Sequence, residues 1–157
     1  RKPWPKALLA LVVVALAAIR SIADFDRPID DWKAIVAEIA AHARPGDVVI
    51  TVPAEGSIAV GYYASRLTDF PPTVCIPGCY PQRDLPRQYL SNLGAPQVIE
   101  ADRQLVDTAL ETHGRVWLVQ VTISLYDPKG FIRKAIEAKR HFVRYSGNAL
   151  AKVELFE

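Results

Sequence analysis

The chain has 157 residues, half of them hydrophobic and 23% charged, with a formal net charge of +2. That composition gives one domain of ordinary size with enough apolar surface for a core, and it excludes a disordered chain. Arg1, Lys2, Lys6 and Arg20 flank an apolar run, and from position 21 onward 15 basic side chains face 17 acidic ones, which excludes a strongly basic nucleic-acid binder.

Residues 7–19 are an unbroken run of Ala, Leu, Val and Ile. As a helix this run rises only about 20 Å, short of the roughly 30 Å hydrocarbon core of a bilayer. Trp4 and Pro5 on one side and Ile22, Ala23 and Phe25 on the other extend it to about 20 residues, with Lys6 and Arg20 able to reach the headgroups and Trp4 suited to the interface. Residues 1–25 therefore read as a transmembrane helix with its flanks, and 26–157 as a separate domain. A secretory signal and a buried core helix are the competing readings. The lack of any methionine opposes the first, and the lack of a polar face opposes the second. The basic residues before the run place 26–157 outside the cytoplasm, on the extracytoplasmic side of the membrane. A start at Arg1-Lys2 with no methionine reads as the C-terminal piece of a longer protein.

Asp30 and Asp31 precede apolar residues at Trp32, Ile35, Val36, Ile39, Ala40 and Ala43, one face of a helix that Pro45-Gly46 ends. Residues 47–53 form a β-branched run bounded by turn residues, a strand buried on both faces. A helix over 58–67 and short strands at 73–76 and 97–100 follow. Asp102 caps a helix to about His113, and 115–123 is the second strong strand. Asp127 and Pro128 open a last helix with Phe131, Ile132, Ala135, Ile136 and Phe142 or Val143 on its buried side. A strand at 152–156 closes the chain. This alternation predicts an α/β fold, a three-layer sandwich with a mainly parallel sheet. Residues 70–96 hold six of the twelve prolines and read as a long loop across one end of the sheet.

The first strand delivers the chain into Pro53-Ala54-Glu55-Gly56-Ser57 and then a helix, where an open α/β sheet usually holds its ligand. Glu55 and Ser57 are ligand-facing candidates there, set against the plainer role of capping the helix. One glycine in that turn supplies neither a dinucleotide fingerprint nor a phosphate loop. Tyr80, Arg83 and Arg87 in the proline-rich loop could face a sugar or phosphate by stacking and paired hydrogen bonds, or merely pack the loop. Cys75 and Cys79 bracket Ile-Pro-Gly, and a disulfide and two free thiols both fit. His42, His113 and His141 have no ligand spacing, so no metal site is expected. Asp24, Asp26, Asp30 and Asp31 form an acidic knot best read as capping and charge balance. Arg133, Lys134, Lys139, Arg140 and Arg144 give the last helix a basic side that reads as solvated.

The order of parts is more telling than any single motif. A hydrophobic span, then Arg-Pro-Ile-Asp-Asp-Trp-Lys-Ala at 27–34, Arg-Pro-Gly-Asp-Val-Val at 44–49, Gly-Tyr-Tyr at 61–63, Arg-Val-Trp-Leu-Val at 115–119 and Val-Glu-Leu-Phe at 153–156 resemble the C-terminal end of bacterial polytopic glycosyltransferases. The similar family is glycosyltransferase family 39, with the dolichyl-phosphate-mannose protein mannosyltransferases. The resemblance implies a parent enzyme that moves a sugar from a polyprenyl-phosphate donor to an acceptor outside the membrane. It implies the lipid bilayer and the upstream membrane part as partners, and no cofactor in this segment. It carries no catalytic residue onto these positions, because the family's acidic residue lies in an early outer loop. This domain is then expected to cap the membrane part. An anchored ligand-binding or sensor module and a free-standing α/β enzyme are the other readings.

Overall fold

The computed structural model describes residues 4–25, 31–79, 96–147 and 151–157, without the side chains of 4–7, 10 and 23–25. Helix α1, Trp4–Phe25, carries the apolar run, and its backbone rises about 33 Å. Its described side chains, at 8–9 and 11–22, are all exposed. Among the described residues no helix is long and apolar enough to cross a membrane. The described side chains of α1 cover only about 22 Å of its length. The span expected over 1–25 is thus not supplied by them alone.

Helix α2, Trp32–His42, starts where Asp31 accepts a hydrogen bond from the Ala34 backbone N–H at 2.9 Å. It buries Ile35, Val36 and Ile39, the face that the spacing predicts. A turn at Pro45-Gly46 leads into strand β1, Asp47–Val52, all six residues of which are buried. Then come α3 at Gly56–Ala64, β2 at Thr73–Cys75, α4 at Arg103–Thr112 and β3 at Arg115–Val121. The last elements are α5 at Ile123–Tyr126, α6 at Phe131–Glu137, β4 at Phe142–Gly147 and β5 at Ala151–Phe156.

The five strands form one sheet in the order β2-β1-β3-β5-β4. β1 pairs in parallel with β2 and β3, whereas β5 pairs antiparallel with β3 and β4. The sheet is therefore mixed, with two parallel pairs and two antiparallel ones, and not mainly parallel. The cause is the C-terminal hairpin. α6 returns the chain to lay β4 one strand away from β3, and β5 folds back into the gap. Gly147 ends β4 with φ +113, and a Cβ there would stand 2.5 Å from the Ala151 carbonyl oxygen.

Alternation along the strands divides the core. Val48, Ile50, Val52, Val116, Leu118 and Phe156 meet α4 and α6 on one face. Val49, Trp117, Val119, Val153 and Leu155 meet α2 and α3 on the other. Burial of both faces explains why β1 and β3 read as continuous apolar runs.

Three predicted elements differ from the structure. The stretch at 97–100 adds no strand to the sheet. A 3-10 turn, Glu100–Asp102, follows it, and Asp102 accepts from the Ile99 N–H at 2.8 Å. The last helix stops at Glu137, and Phe142 and Val143 belong to β4, where they are half exposed. Helical spacing carries the apolar pattern past its true end because an exposed edge strand has no strong pattern of its own. The third difference is at the end of β3. The chain leaves the sheet after Val121, and Thr122, with φ 43, redirects it into α5.

Candidate ligand cleft

β1 and β3 lie side by side and parallel, but their continuations part at their carboxyl ends. β1 leads into α3 on the α2 face, and β3 leads through α5 into α6 on the α4 face. Such a divergence opens a crevice where α/β sheets bind ligands. Here the crevice is a cleft of about 660 Å³. Pro53, Glu55 and Gly56 form the side contributed by the β1–α3 turn, with Tyr62 and Tyr63 from α3 above them. Val121, Thr122 and Tyr126 form the β3 side, and Trp32 at the start of α2 closes a third wall. Gly56 forms part of the floor, where a Cβ would lie 3.4 Å from the Trp32 ring and 3.7 Å from Val121.

Glu55 is the sole acidic side chain among these lining residues, and among the described residues no Lys, Arg or His lines the cleft. It occupies the N-cap position of α3 but makes no capping hydrogen bond. Its Oε2 is buried without a hydrogen-bond partner. Burial pushes its pKa above the ordinary carboxylate value, against a weaker opposing pull from its own backbone N–H. The Tyr126 phenol is also pushed up, first by burial and then by the charge of Glu55. The two groups are thus electrostatically aware of each other within one crevice. At the lip, Tyr62 packs edge-on against Tyr63, with ring centroids 5.1 Å apart. The Arg66 guanidinium lies 4.7 Å over the Tyr62 ring and donates to its Oη at 2.8 Å. Thr122 holds a left-handed backbone that costs a β-branched residue about 1–3 kcal/mol, and it does so in the wall of the cleft.

Of the residues singled out from sequence, Glu55 lies in the cleft. Ser57 does not line it, and its hydroxyl donates to the Ala54 carbonyl at 2.6 Å inside the turn. Tyr80, Arg83 and Arg87 lie outside the described residues. Cys75 and Cys79 are joined as a disulfide with Cα atoms 4.9 Å apart, a spacing usual for such bridges. Among the described residues no group of three or more His, Cys, Asp or Glu side chains could hold a metal ion. Asp31 caps α2, and Asp24, Asp26 and Asp30 lie where no side chain is described. The basic side of α6 and the chain after it is engaged within the domain. Arg133 meets Glu137 and Glu154, Lys139 meets Asp107, and Arg144 meets Glu38. Arg140 donates to the carbonyls of Leu110, His113 and Gly114. Lys134 donates to that of Lys129.

Sequence reasoning missed Trp32, Tyr62, Thr122 and Tyr126 as parts of the site. The available signal was positional, since the strand next to β1 must end beside it and the residues after Val121 then face Glu55.

No protein-family model matches the chain, and neither a curated protein nor a solved structure is significantly similar to it.

Proposed function

We propose that the chain is the C-terminal part of a bacterial membrane glycosyltransferase resembling family 39, with α1 as its last transmembrane helix and the α/β domain as an extracytoplasmic cap. The parent would take a sugar from a polyprenyl-phosphate donor and pass it to an acceptor at the outer face. The observation that supports this reading best is the surface of α1. Leu8, Leu9, Leu11, Val14, Leu16, Ile19 and Ile22 are each exposed by more than 60%. An apolar patch of that extent calls for lipid or for neighbouring apolar helices.

The domain supports the cap role through the placement of its cleft. Trp32, in the cleft wall, follows the end of α1 at Phe25 by only seven residues, a reach of about 25 Å at full extension. A bilayer around α1 would then lie within that reach of Trp32, which would bring the crevice close to a lipid-linked substrate. The disulfide suits the oxidising side of that membrane. Among the described residues the cleft offers one carboxyl and phenols, which suits it to bind and orient, and the resemblance assigns the chemical step to an acidic residue in an early outer loop of the parent.

The cleft also favours a second reading, an anchored ligand-binding or sensor module. The parent polypeptide separates the two. Membranes bearing it should move labelled sugar from a polyprenyl-phosphate donor, and exchange of 80–86 for a Gly-Ser linker, which spares β2, Ile76 and the disulfide, should lower transfer while the protein stays folded in the membrane. Absence of transfer, or transfer that the exchange leaves untouched, overturns the cap reading.

A further inference from the structure

We propose that the cleft at the carboxyl ends of β1 and β3 binds an uncharged hydroxylated ring, a pyranose, which packs its C–H face on the aromatic walls and donates a hydroxyl to Glu55. The proposal deepens the cap reading, on which it rests only for the source of the ring, a lipid-linked donor or its acceptor. The chemistry of the lining carries the rest.

Charge decides the class of ligand. A phosphate or carboxylate inside the cleft would meet Glu55, where none of the described lining residues is Lys, Arg or His, and the Arg66 guanidinium at the lip is already engaged with the Tyr62 hydroxyl. A cationic ligand would approach the Arg66 guanidinium, which already occupies a face of Tyr62 at the lip. An uncharged ligand avoids both. A wholly apolar one would leave the buried Oε2 of Glu55 unpaired, whereas a hydroxyl supplies the donor that oxygen lacks. Burial that keeps the carboxyl protonated to higher pH extends this match, since the protonated form can donate as well as accept.

Shape agrees with charge. The cleft volume lies in the range of small-molecule sites. Tyr62 and Ile58 are more than half exposed at its lip, Trp32 stands in its wall, and Tyr126 is 7% exposed at its inner end. An aromatic surface open on one side takes a flat apolar ring face, and the buried carboxyl behind it selects a ring that also bears hydroxyls.

The test uses the whole 157-residue chain, ¹⁵N-labelled in detergent micelles, with the Trp32 indole N–H assigned through Trp32→Phe. Methyl hexopyranosides and methyl pentopyranosides are titrated in turn, with choline and inorganic phosphate as charged probes. A saturable shift of the Trp32 indole and the Thr122 and Tyr126 amides by a glycoside is the expected result. Glu55→Leu should weaken that binding by about tenfold with the spectrum still dispersed. Gly56→Ala, whose new methyl fits at ordinary contact distance but narrows the floor, should weaken it as well.

The proposal is overturned if no glycoside shifts these signals, if choline or phosphate shifts them more strongly, or if Glu55→Leu binds as the parent chain does. Flotation of the chain with lipid vesicles reads the membrane role of α1 separately. An inserted chain without glycoside binding removes this proposal and leaves the cap reading standing. A chain that binds glycoside but stays out of the vesicles does the reverse.

Discussion

Glu55→Leu should make the folded domain more stable at neutral pH, which is unusual for removal of a charged surface-proximal residue. Oε2 of Glu55 is buried and unpartnered, and such an atom costs about 1–3 kcal/mol when fully desolvated. Partial exposure of the side chain and the opposing pull of its own N–H place the cost at the low end, about 1 kcal/mol. Leucine has similar volume and faces Trp32, Ile58 and Val121, so it removes the cost and adds apolar contact. The pH dependence has a definite sign. Burial raises the pKa of Glu55 on folding, so the folded chain keeps the proton to higher pH than the unfolded chain. The contribution of this group to stability is therefore most favourable below the unfolded carboxylate range and is lost as pH rises through the raised folded value. The advantage of Glu55→Leu should be near zero in acid and grow across that window to its full size at neutral pH. Urea unfolding of the chain in micelles at several pH values reads this as a midpoint shift of about 0.5 M at pH 7. A variant less stable than the parent at neutral pH would refute the reasoning, because Glu55 would then be a structural cap with a satisfied partner.

Asp47→Ala should destabilise by about 3 kcal/mol, since it strands the Trp117 Nε1–H, 2.8 Å from Asp47 Oδ2 and 1% exposed, while Asp47→Asn keeps an acceptor and costs about 1 kcal/mol. Thermal unfolding ranks the two, and equal melting points would contradict the assignment. Asp127 accepts from the N–H groups of Phe131 and Ile132, so Asp127→Ala should cost about 2 kcal/mol and raise hydrogen exchange first in α6. Gly147→Ala forces a Cβ within 2.8 Å of Lys152 Cα, and loss of the β4–β5 hairpin amide signals is expected, with an unchanged spectrum counting against the register. Thr122→Gly relieves the left-handed strain and should raise stability by about 1 kcal/mol in the same urea assay; a loss would place the strain elsewhere.

The elements most legible in the sequence were those with the strongest burial. α2 announces itself by helical spacing with Asp31 at its cap, and β1 and β3 by runs that are apolar because both sheet faces are covered. β4 was illegible because Phe142, Val143, Arg144 and Tyr145 all stay exposed at the sheet edge, so no alternation marks them as strand. β5 was found as a strand, but its place inside the sheet depends on pairing with β3, a contact about 35 residues away in the chain that no local pattern encodes. Glu55 was legible because a strand followed by a turn and a helix identifies its own carboxyl end. Tyr126 and Trp32 were not, because they reach the same crevice from elements whose adjacency follows only from strand order.

The two ends of the sheet place charge in opposite ways, and that contrast is the reason to assign ligand binding to one of them. At the amino ends of β1 and β3, Asp47 accepts from Trp117 Nε1 and from the Arg44 backbone N–H. Arg115 lies 3.7 Å from Asp47 and 3.0 Å from Glu157, and it also donates to the His42 carbonyl at 3.3 Å. The cavity at that end, about 470 Å³ beside Phe70 and Pro72, thus borders a carboxylate already spent on structure. At the carboxyl ends the carboxyl of Glu55 has an oxygen with no partner, the backbone at Thr122 is strained, and the surrounding walls are aromatic. At the amino ends the charge of Arg115 is met by Asp47 and Glu157, although its Nε and Nη1 make no hydrogen bond, whereas Glu55 has no opposite charge among the described lining residues and Leu at position 55 would remove the unpaired carboxyl. Retaining an unpaired carboxyl in an open apolar crevice costs stability, and the hydroxyl donor of the proposed ligand would recover it.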